Sequence, residues 1–475
     1  MLAGMSADIA PLIRTHAHSG FSPSGIVAIG RQGELVDQYT WGADGYGLDT
    51  PFRVASLTKS FTALAVLVLR RSGGLGLDDT VRTHLPELHT IAQPDWPELR
   101  LRHLLGMTGG LATDNPWGDR QESIGREQLQ SWAKEGLRLM FAPGTDFEYS
   151  NLGYALLGEI ITRVSGQDYR EFVGEQILEP LGLSGTRFAA EELSAPVSGY
   201  HREPLLVGDA PSWTVQESSG PGSFSSIGGL YSTVEDLLRW TALFQQHNVP
   251  AGASFTAADL VEAQQPLGPM TASRAEAPLH GPVASGYGFG LVIQDYANHG
   301  RVIGHSGGYP GFTANMAWHE RSGQTVIVST NGTHSAATMM ANKVLAQLIS
   351  TDPGPASAVE PWEETVAAVE TITSLVQRIV DSSATDWQPL FAVNVELDFP
   401  LERRLERLQR GLTSVGSPLR LAPEPEFGRP SAASWTLPTE FGVLELRIEL
   451  MPVAPFLVQT FSATAVRGGD RVRLF

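Results

Sequence analysis

A hydroxyl and an amine one helical turn apart are the first chemistry in this sequence: Ser56-Leu57-Thr58-Lys59, at the head of an apolar run from Phe61 to Leu69. Residues i and i+3 share a helix face, and the run predicts a helix buried on most sides. The chain holds 30 Arg and only three Lys, at 59, 134 and 343, so ordinary positive charge is arginine's work. Arginine keeps its proton in a protein. A desolvated lysine falls from about 10.4 towards neutrality, giving up roughly 4 kcal/mol of charge stabilisation. A neutral amine beside a serine hydroxyl is a general base beside a nucleophile. The same four residues also read as a helix start with a surface lysine in its first turn. A second pair exists, Ser131 and Lys134, among Arg126, Glu127, Gln128, Gln130 and Glu135. That composition predicts an amphipathic, solvated helix, so only the first pair has a buried context.

A serine with a lysine base needs a second proton-transfer group, donors for an oxyanion and something to orient the substrate. Tyr149-Ser150-Asn151 follows the turn Phe141-Ala142-Pro143-Gly144 and precedes a helix from Leu152. A loop entering a helix holds a phenol and an amide towards a cleft; Asn151 as a simple N-cap is the plain alternative. Tyr296-Ala297-Asn298 repeats the spacing but reads as a turn between strands. Gly304-His305-Ser306-Gly307-Gly308 closes a strand. Its glycines let a substrate backbone lie along the strand edge, with His305 projecting into the site and a backbone N–H free to donate. His18-Ser19-Gly20 repeats the tripeptide without strand context.

The elements that must position these groups follow from the same pattern. Ile9 to Ala17 reads as a helix, then Gly25 to Gly30 and Glu34 to Trp41 as a hairpin turning at Arg31-Gln32-Gly33. The Ser56 helix ends in Arg70-Arg71-Ser72-Gly73-Gly74, with cations and glycine where a helix C-terminus favours them. From about 77 to 193 the reading is helical (Val81 to Leu85, Arg100 to Leu105, Arg126 to Leu139, Leu152 to Val164, Tyr169 to Leu178). Ser232-Thr233-Val234-Glu235 reads as a capping box. Strands return at Gly288 to Gln294, Arg301 to Gly304, Phe312 to Trp318 and Gln324 to Thr330, before a helix from Ser335 to Ile349. The expected fold class is α/β (α+β): an antiparallel sheet flanked by helices with an inserted all-helical subdomain, plus a small C-terminal α+β domain. The expected boundaries are 1–350 for the catalytic domain, 351–358 for a linker and 359–475 for the accessory domain.

Composition narrows the function. A net charge of −18 with 42% hydrophobic residues describes a soluble globular chain, argues against nucleic acid or an anionic membrane as partner, and leaves a small-molecule or short-peptide substrate. There is no cysteine, hence no disulfide, thiolate metal site or cysteine nucleophile. Residues 1–20 carry Asp8, Arg14, His16 and His18 and no continuous apolar core, which is unlike a signal peptide, and no run is long enough to span a membrane. The expectation is a cytoplasmic protein, able to form a homo-oligomer, with no cofactor or metal; His16-Ala17-His18 lacks companions at ligand spacing.

Taken together and in this order, Ser56-x-x-Lys59, Tyr149-Ser150-Asn151 and His305-Ser306-Gly307 resemble the penicillin-recognising serine hydrolases: class C β-lactamases, DD-carboxypeptidases, D-aminopeptidases and related esterases. Arg102 to Leu111, Pro143-Gly144 and Gly228 to Thr233 support the resemblance, which covers residues 8 to 350. It implies acylation of Ser56, proton transfers shared by Lys59 and Tyr149, substrate binding by Asn151 and His305 and along Gly307, and an oxyanion held between the N–H groups of Ser56 and Gly308. The third motif of true β-lactamases usually begins with Lys; here it begins with His305. That shifts the expectation away from a β-lactamase, and the lack of a signal-peptide pattern away from a DD-carboxypeptidase, towards hydrolysis of D-amino-acid-containing peptides and amides, or of esters. Two other readings remain: Gly304 to Gly308 as the Gly-x-Ser-x-Gly elbow of an α/β-hydrolase, which needs a helix after the serine, and a penicillin-binding or scaffold protein with little turnover.

Overall fold

Strands from both ends of the first 330 residues build one sheet. A computed structural model of the protein describes residues 9–17, 22–42, 45–115, 117–203, 212–270, 284–297, 299–333, 335–354, 359–379 and 383–475. Expectations for residues 1–8, His18-Ser19-Gly20, Asn298 and linker residues 355–358 lie outside these. The chain divides into two units, Met1–Gly354 and Pro355–Phe475.

In the first unit, β1 (Gly25–Arg31) and β2 (Glu34–Trp41) form the hairpin, and β3 (Gly268–Pro269), β4 (Ala284–Tyr287), β5 (Val292–Tyr296), β6 (Gly300–Tyr309), β7 (Phe312–His319) and β8 (Gln324–Thr330) follow. Among the described residues they make an eight-stranded antiparallel sheet in the order β2-β1-β8-β7-β6-β5-β4-β3. The period-2 rule explains its two faces. Val27, Ile29, Val326 and Val328 point to one side, where α1 (Ile9–Ala17) brings Ile13. Ile26, Ala28, Met316 and Trp318 point to the other. There they meet the main core, built around α2 (Thr58–Arg71), in which every residue from Thr58 to Leu69 is buried. The other helices used below are α3 (Arg126–Glu135), α4 (Asn151–Ser165), α5 (Val234–Gln246) and α6 (Ala337–Thr351), the last also on the α1 side.

Four local differences from the expected elements have physical causes. The strand expected over Gly288 to Gln294 begins only at Val292, as β5, because Gly290 turns at φ +70°, and a Cβ there would lie 2.5 Å from the Lys59 carbonyl. The short strand at 301–304 runs on to Tyr309, fully paired with β7. α3 stops at Glu135 because Gly136 takes φ +122°. Leu137–Arg138 then pairs in parallel with Thr90–Ile91. The cap of α5 is Thr233, whose hydroxyl accepts from the Asp236 N–H at 3.1 Å, while Ser232 bonds Thr186.

The second unit packs α7 (Glu363–Gln377), α8 (Val393–Asp398) and α9 (Leu401–Val415) with a meander of β9 (Glu426–Arg429), β10 (Ala432–Pro438), β11 (Val443–Leu450), β12 (Val458–Arg467) and β13 (Asp470–Arg473). Alternation again sets the buried face: Leu444, Leu446 and Ile448 meet Leu405, Leu408 and Leu412 of α9.

Candidate active site

Ser56 sits in a single 3₁₀ turn, Ala55–Leu57, that feeds directly into α2. Ala55 is held at φ +50°, a left-handed conformation that costs an alanine about 1 kcal/mol or more. The turn is pinned on all sides. Val54 N–H donates to Leu230 O at 3.0 Å, the Thr58 hydroxyl donates to Ala55 O at 2.7 Å, and Leu230 N–H donates back to that hydroxyl at 3.1 Å. Trp240 stacks on Phe61 and donates to the Ser60 hydroxyl. From Pro51 to Leu69, Ser56 alone escapes full burial. The one hydroxyl open to a substrate is therefore the one beside the amine.

Lys59 is 0% exposed. Its Nζ lies 2.9 Å from Ser56 Oγ, 2.8 Å from Asn151 Oδ1 and 2.7 Å from the Ile227 carbonyl oxygen. None of these three partners carries a charge. Burial therefore lowers its pKa to about 7, against the pull of the Asp119 and then the Asp114 carboxylates. In the neutral amine two N–H bonds go to Asn151 and Ile227, and the lone pair is left facing the Ser56 O–H.

The phenol of Tyr149 is hydrogen-bonded to the Ser56 side chain, and desolvation pushes its pKa far above the ordinary phenol range. Its ring face lies 5.1 Å from Lys59 Nζ. Ser150, not Asn151, caps α4: its hydroxyl accepts from Gly153 N–H. Asp114 reinforces that end, accepting from the N–H groups of Asn151 at 2.8 Å and Leu152 at 2.7 Å, as a carboxylate at a helix N-terminus should. Asn151 is fully buried, with Oδ1 held by Lys59 and Nδ2 donating to Asn115 Oδ1.

His305 lies mid-strand in β6, with its ring centroid 6.1 Å from that of Tyr149. Its Nδ1 donates to the Ser306 carbonyl at 2.5 Å, so Nε2 accepts from the Tyr287 hydroxyl at 2.9 Å. Burial, then the nearby Lys59, lowers its pKa to about 3, so the ring is neutral. The neighbouring Tyr154 hydroxyl donates to the Leu105 carbonyl at 2.9 Å. Gly307 is required sterically, since a Cβ there would stand 2.2 Å from Val54 O; Gly308 faces open space. Ser306 is exposed within a continuous strand, opposite Asn315. β7 follows it where an elbow would need a helix. The second serine–lysine pair lies on α3, where Ser131 bonds Glu135.

The structure thus gathers Ser56, Lys59, Tyr149 and Asn151 within one hydrogen-bonded group and sets His305, Gly307 and Gly308 along its edge. Sequence reasoning missed Asp114, Asp119, the Ile227 carbonyl and the tyrosines 154 and 287. The run Gly286-Tyr287-Gly288-Phe289-Gly290 was a legible sign of close approach. Nothing local marks the two aspartates. A further buried pair, Arg53 with Glu122, stands three residues before Ser56.

A sheet flanked by helices, with a serine–lysine pair at the start of the core helix, defines a serine hydrolase fold of the β-lactamase type. The chain belongs to the Beta-lactamase family, whose sequence profile matches residues 9–350. It is similar to Penicillin-binding protein 4* of Bacillus subtilis (strain 168), with 28% identity over 299 residues, 59% of this chain and 60% of that protein. It also resembles Protein flp of Staphylococcus aureus (strain NCTC 8325 / PS 47), with 36% identity over 140 residues, 29% of this chain and 28% of that one. The chain thus spans about 60% and under a third of the lengths of these two relatives. Among solved structures, the octameric penicillin-binding protein homologue from Pyrococcus abyssi aligns with TM-score 0.60 and 20% identity, covering 98% of this chain and 94% of its own. A D-stereospecific amidohydrolase from Streptomyces sp. gives TM-score 0.57 and 22% identity over 71% and 98%, and EstCE1, a hydrolase with promiscuous acyltransferase activity, gives 0.58 and 20% over 72% and 97%. At these identities the three structures speak for the fold. Among the described residues no helix is long and apolar enough to cross a membrane.

Proposed function

We propose that the first unit hydrolyses amides of D-amino-acid-containing peptides, or esters, through an acyl-enzyme on Ser56. The observation that carries this is the lysine amine at 2.9 Å from Ser56 Oγ, buried among neutral acceptors with a pKa of about 7. Lys59 Nζ takes the proton of Ser56 as Oγ bonds to the substrate carbonyl carbon. The N–H groups of Ser56 and Gly308 receive the oxyanion, an arrangement whose single donors are worth about 10²–10³ in rate in serine hydrolases. Tyr149, held as a neutral phenol, relays a proton to the departing amine or alkoxide as the C–N or C–O bond breaks. Water then attacks the acyl carbon, the same groups run in reverse, and the acid leaves with Ser56 restored. Asn151 positions Lys59 and reaches a substrate only by exchanging its Asn115 partner.

The neutral His305 and the carboxylates of Asp114 and Asp119 disfavour a substrate with its own carboxylate near the scissile bond. This supports amides and esters over β-lactams, as do the amidohydrolase and esterase folds among its likenesses. A cytoplasmic location and self-association belong to the same proposal; light scattering on the purified chain tests the second.

Intact-mass analysis after a fluorophosphonate probe and, separately, a penicillin tests the assignment, with peptide mapping. The expected adduct is on Ser56, is absent in Ser56→Ala, and with penicillin persists. Rapid penicillin turnover would move the reading to a β-lactamase, and no adduct with either probe would move it to a binding protein.

A further inference from the structure

In an acidic chain, the second unit holds one strongly basic cavity. It measures about 420 Å³ and is lined by Arg404, Arg407, Arg447 and Arg473, with the rings of Phe399 and Phe475 and one acidic side chain, Asp398. It forms where β13 stops: that strand pairs with β12 only from Thr464 to Arg467, which leaves the edge of β12 at Thr460 to Ser462 without a strand neighbour on that side.

Arg404 fills the gap. It is only 8% exposed, and its guanidinium donates to the carbonyls of Phe399, Phe461 and Val395 at 2.9–3.3 Å. Those bonds occupy three of its five N–H donors and do not balance its charge. Burial lowers its pKa, with Asp398 and Glu396 opposing from a distance; Glu396 is itself engaged by the Leu401 N–H. Elsewhere in this unit Arg410 pairs with Glu406, Arg429 with Glu449 and Arg471 with Glu445, and Arg467 donates to the Ser414 carbonyl. Among the described residues, none of the four lining the cavity pairs with an Asp or Glu side chain; Arg407 donates to the Leu474 carbonyl and Arg473 to the Phe475 backbone oxygen, both at 3.2 Å, which leaves each with further N–H groups. A buried cation left uncompensated is costly, and the fork of a guanidinium matches a carboxylate or phosphate. The rings prearrange it: Arg404 lies 5.5 Å from the Phe399 centroid and 5.4 Å from that of Phe475, and Arg407 lies 4.8 Å from Phe399.

We propose that this cavity binds a small organic oxyanion, a carboxylate or phosphate ester with an aromatic or apolar body. The guanidiniums of Arg407, Arg447 and Arg473 hold the oxygens, Ser462, opposite Arg447 on β12, adds a hydroxyl, and the phenylalanine rings flank the body.

The test is calorimetric titration of the full-length chain with benzoate, phenyl phosphate and inorganic phosphate. One-to-one binding of at least one of the two aromatic anions is expected, weakening with added salt. Arg407→Gln with Arg447→Gln should weaken it by about tenfold or more, ~1.4 kcal/mol or above. Arg404 is kept because its carbonyl bonds hold the sheet edge. Arg410→Gln, whose side chain already pairs with Glu406, should leave affinity unchanged. Preference for phenyl phosphate or for benzoate assigns the phosphate or the carboxylate source. Inorganic phosphate binding as tightly as phenyl phosphate would remove the aromatic body from the proposal. Absence of binding by all three anions, or equal binding by the double variant, would overturn it.

Discussion

Two cations six residues apart are both sealed from water, and the fold treats them oppositely. Arg53 is 1% exposed; its guanidinium pairs with Glu122, donates to the Gly228 carbonyl at 2.9 Å, and lies 4.1 Å from the Tyr309 ring centroid and 5.0 Å from that of Tyr231. Burial lowers its pKa, but Glu122 and the two phenols outweigh that and raise it. Lys59, equally buried, has three neutral acceptors and falls to about 7. Burial alone therefore does not decide whether a charge survives; the presence of a counter-ion does. Arg53 ties the strand before Ser56 to the loop at Glu122, whereas Lys59 remains able to gain and lose a proton at neutral pH.

The contrast breaks most visibly at Lys59. Lys59→Met should cut kcat by about 10³-fold or more, measured on an ester substrate, while raising the unfolding free energy. The sign follows from linkage. The native amine binds its proton less readily than the unfolded one, so the penalty is present in full below about pH 7 and fades as pH rises towards the unfolded value of about 10.4. The gain in Tm should therefore be larger at pH 7 than at pH 10, and a lower Tm at pH 7 would contradict the neutral-amine reading. Arg53→Met should do the reverse to stability, leaving Glu122 buried and unpaired at a loss of about 3–5 kcal/mol in denaturant titration. Asp119→Asn sharpens the comparison at a finer scale. Removing the carboxylate that opposes burial should move the ascending limb of the kcat/KM pH profile, expected near 7, to lower pH by less than about one unit; a shift upward would place Asp119 elsewhere in the mechanism. The smallest effect belongs to Arg126, half exposed and bonded to Glu159. Arg163 also holds that carboxylate, so Arg126→Gln should lower stability by less than about 1 kcal/mol.

The features legible in sequence were those with local causes. Ser56 and Lys59 were visible because i, i+3 spacing and the apolar run from Phe61 act within one helix, and β1 and β2 because alternation and a Gly turn act within one hairpin. The second serine–lysine pair could be set apart by its charged neighbours alone. The missed groups arrive from far along the chain: Asp119 acts on Lys59 through its charge, from a single 3₁₀ turn (Gly118–Arg120) too short for a periodic signature, and the Ile227 carbonyl is offered by backbone, which has no residue type to read. The late start of β5, at Val292, escaped for the same reason. Gly290 turns there because of the Lys59 carbonyl, and that contact spans more than two hundred residues. Asn151 shows the remaining limit: its proximity to the serine pair followed from motif order, but the partner of its Nδ2 is Asn115, in a loop with no pattern of its own.

The pairing of β1 with β8 also bears on how the protein comes into being. Gly25 stands opposite Thr330, so the first sheet strand must wait for a partner about 300 residues later before its edge is satisfied, and contacts of such separation make folding slow. On the ribosome, β1 and β2 emerge as a hairpin with an unpaired, apolar edge, while α2 and its serine are already synthesised but lack the strands that enclose them. Acquisition of activity should therefore coincide with the arrival of β8 rather than with the emergence of Ser56. Until then the nascent chain presents an open strand edge of the kind that invites association with other chains.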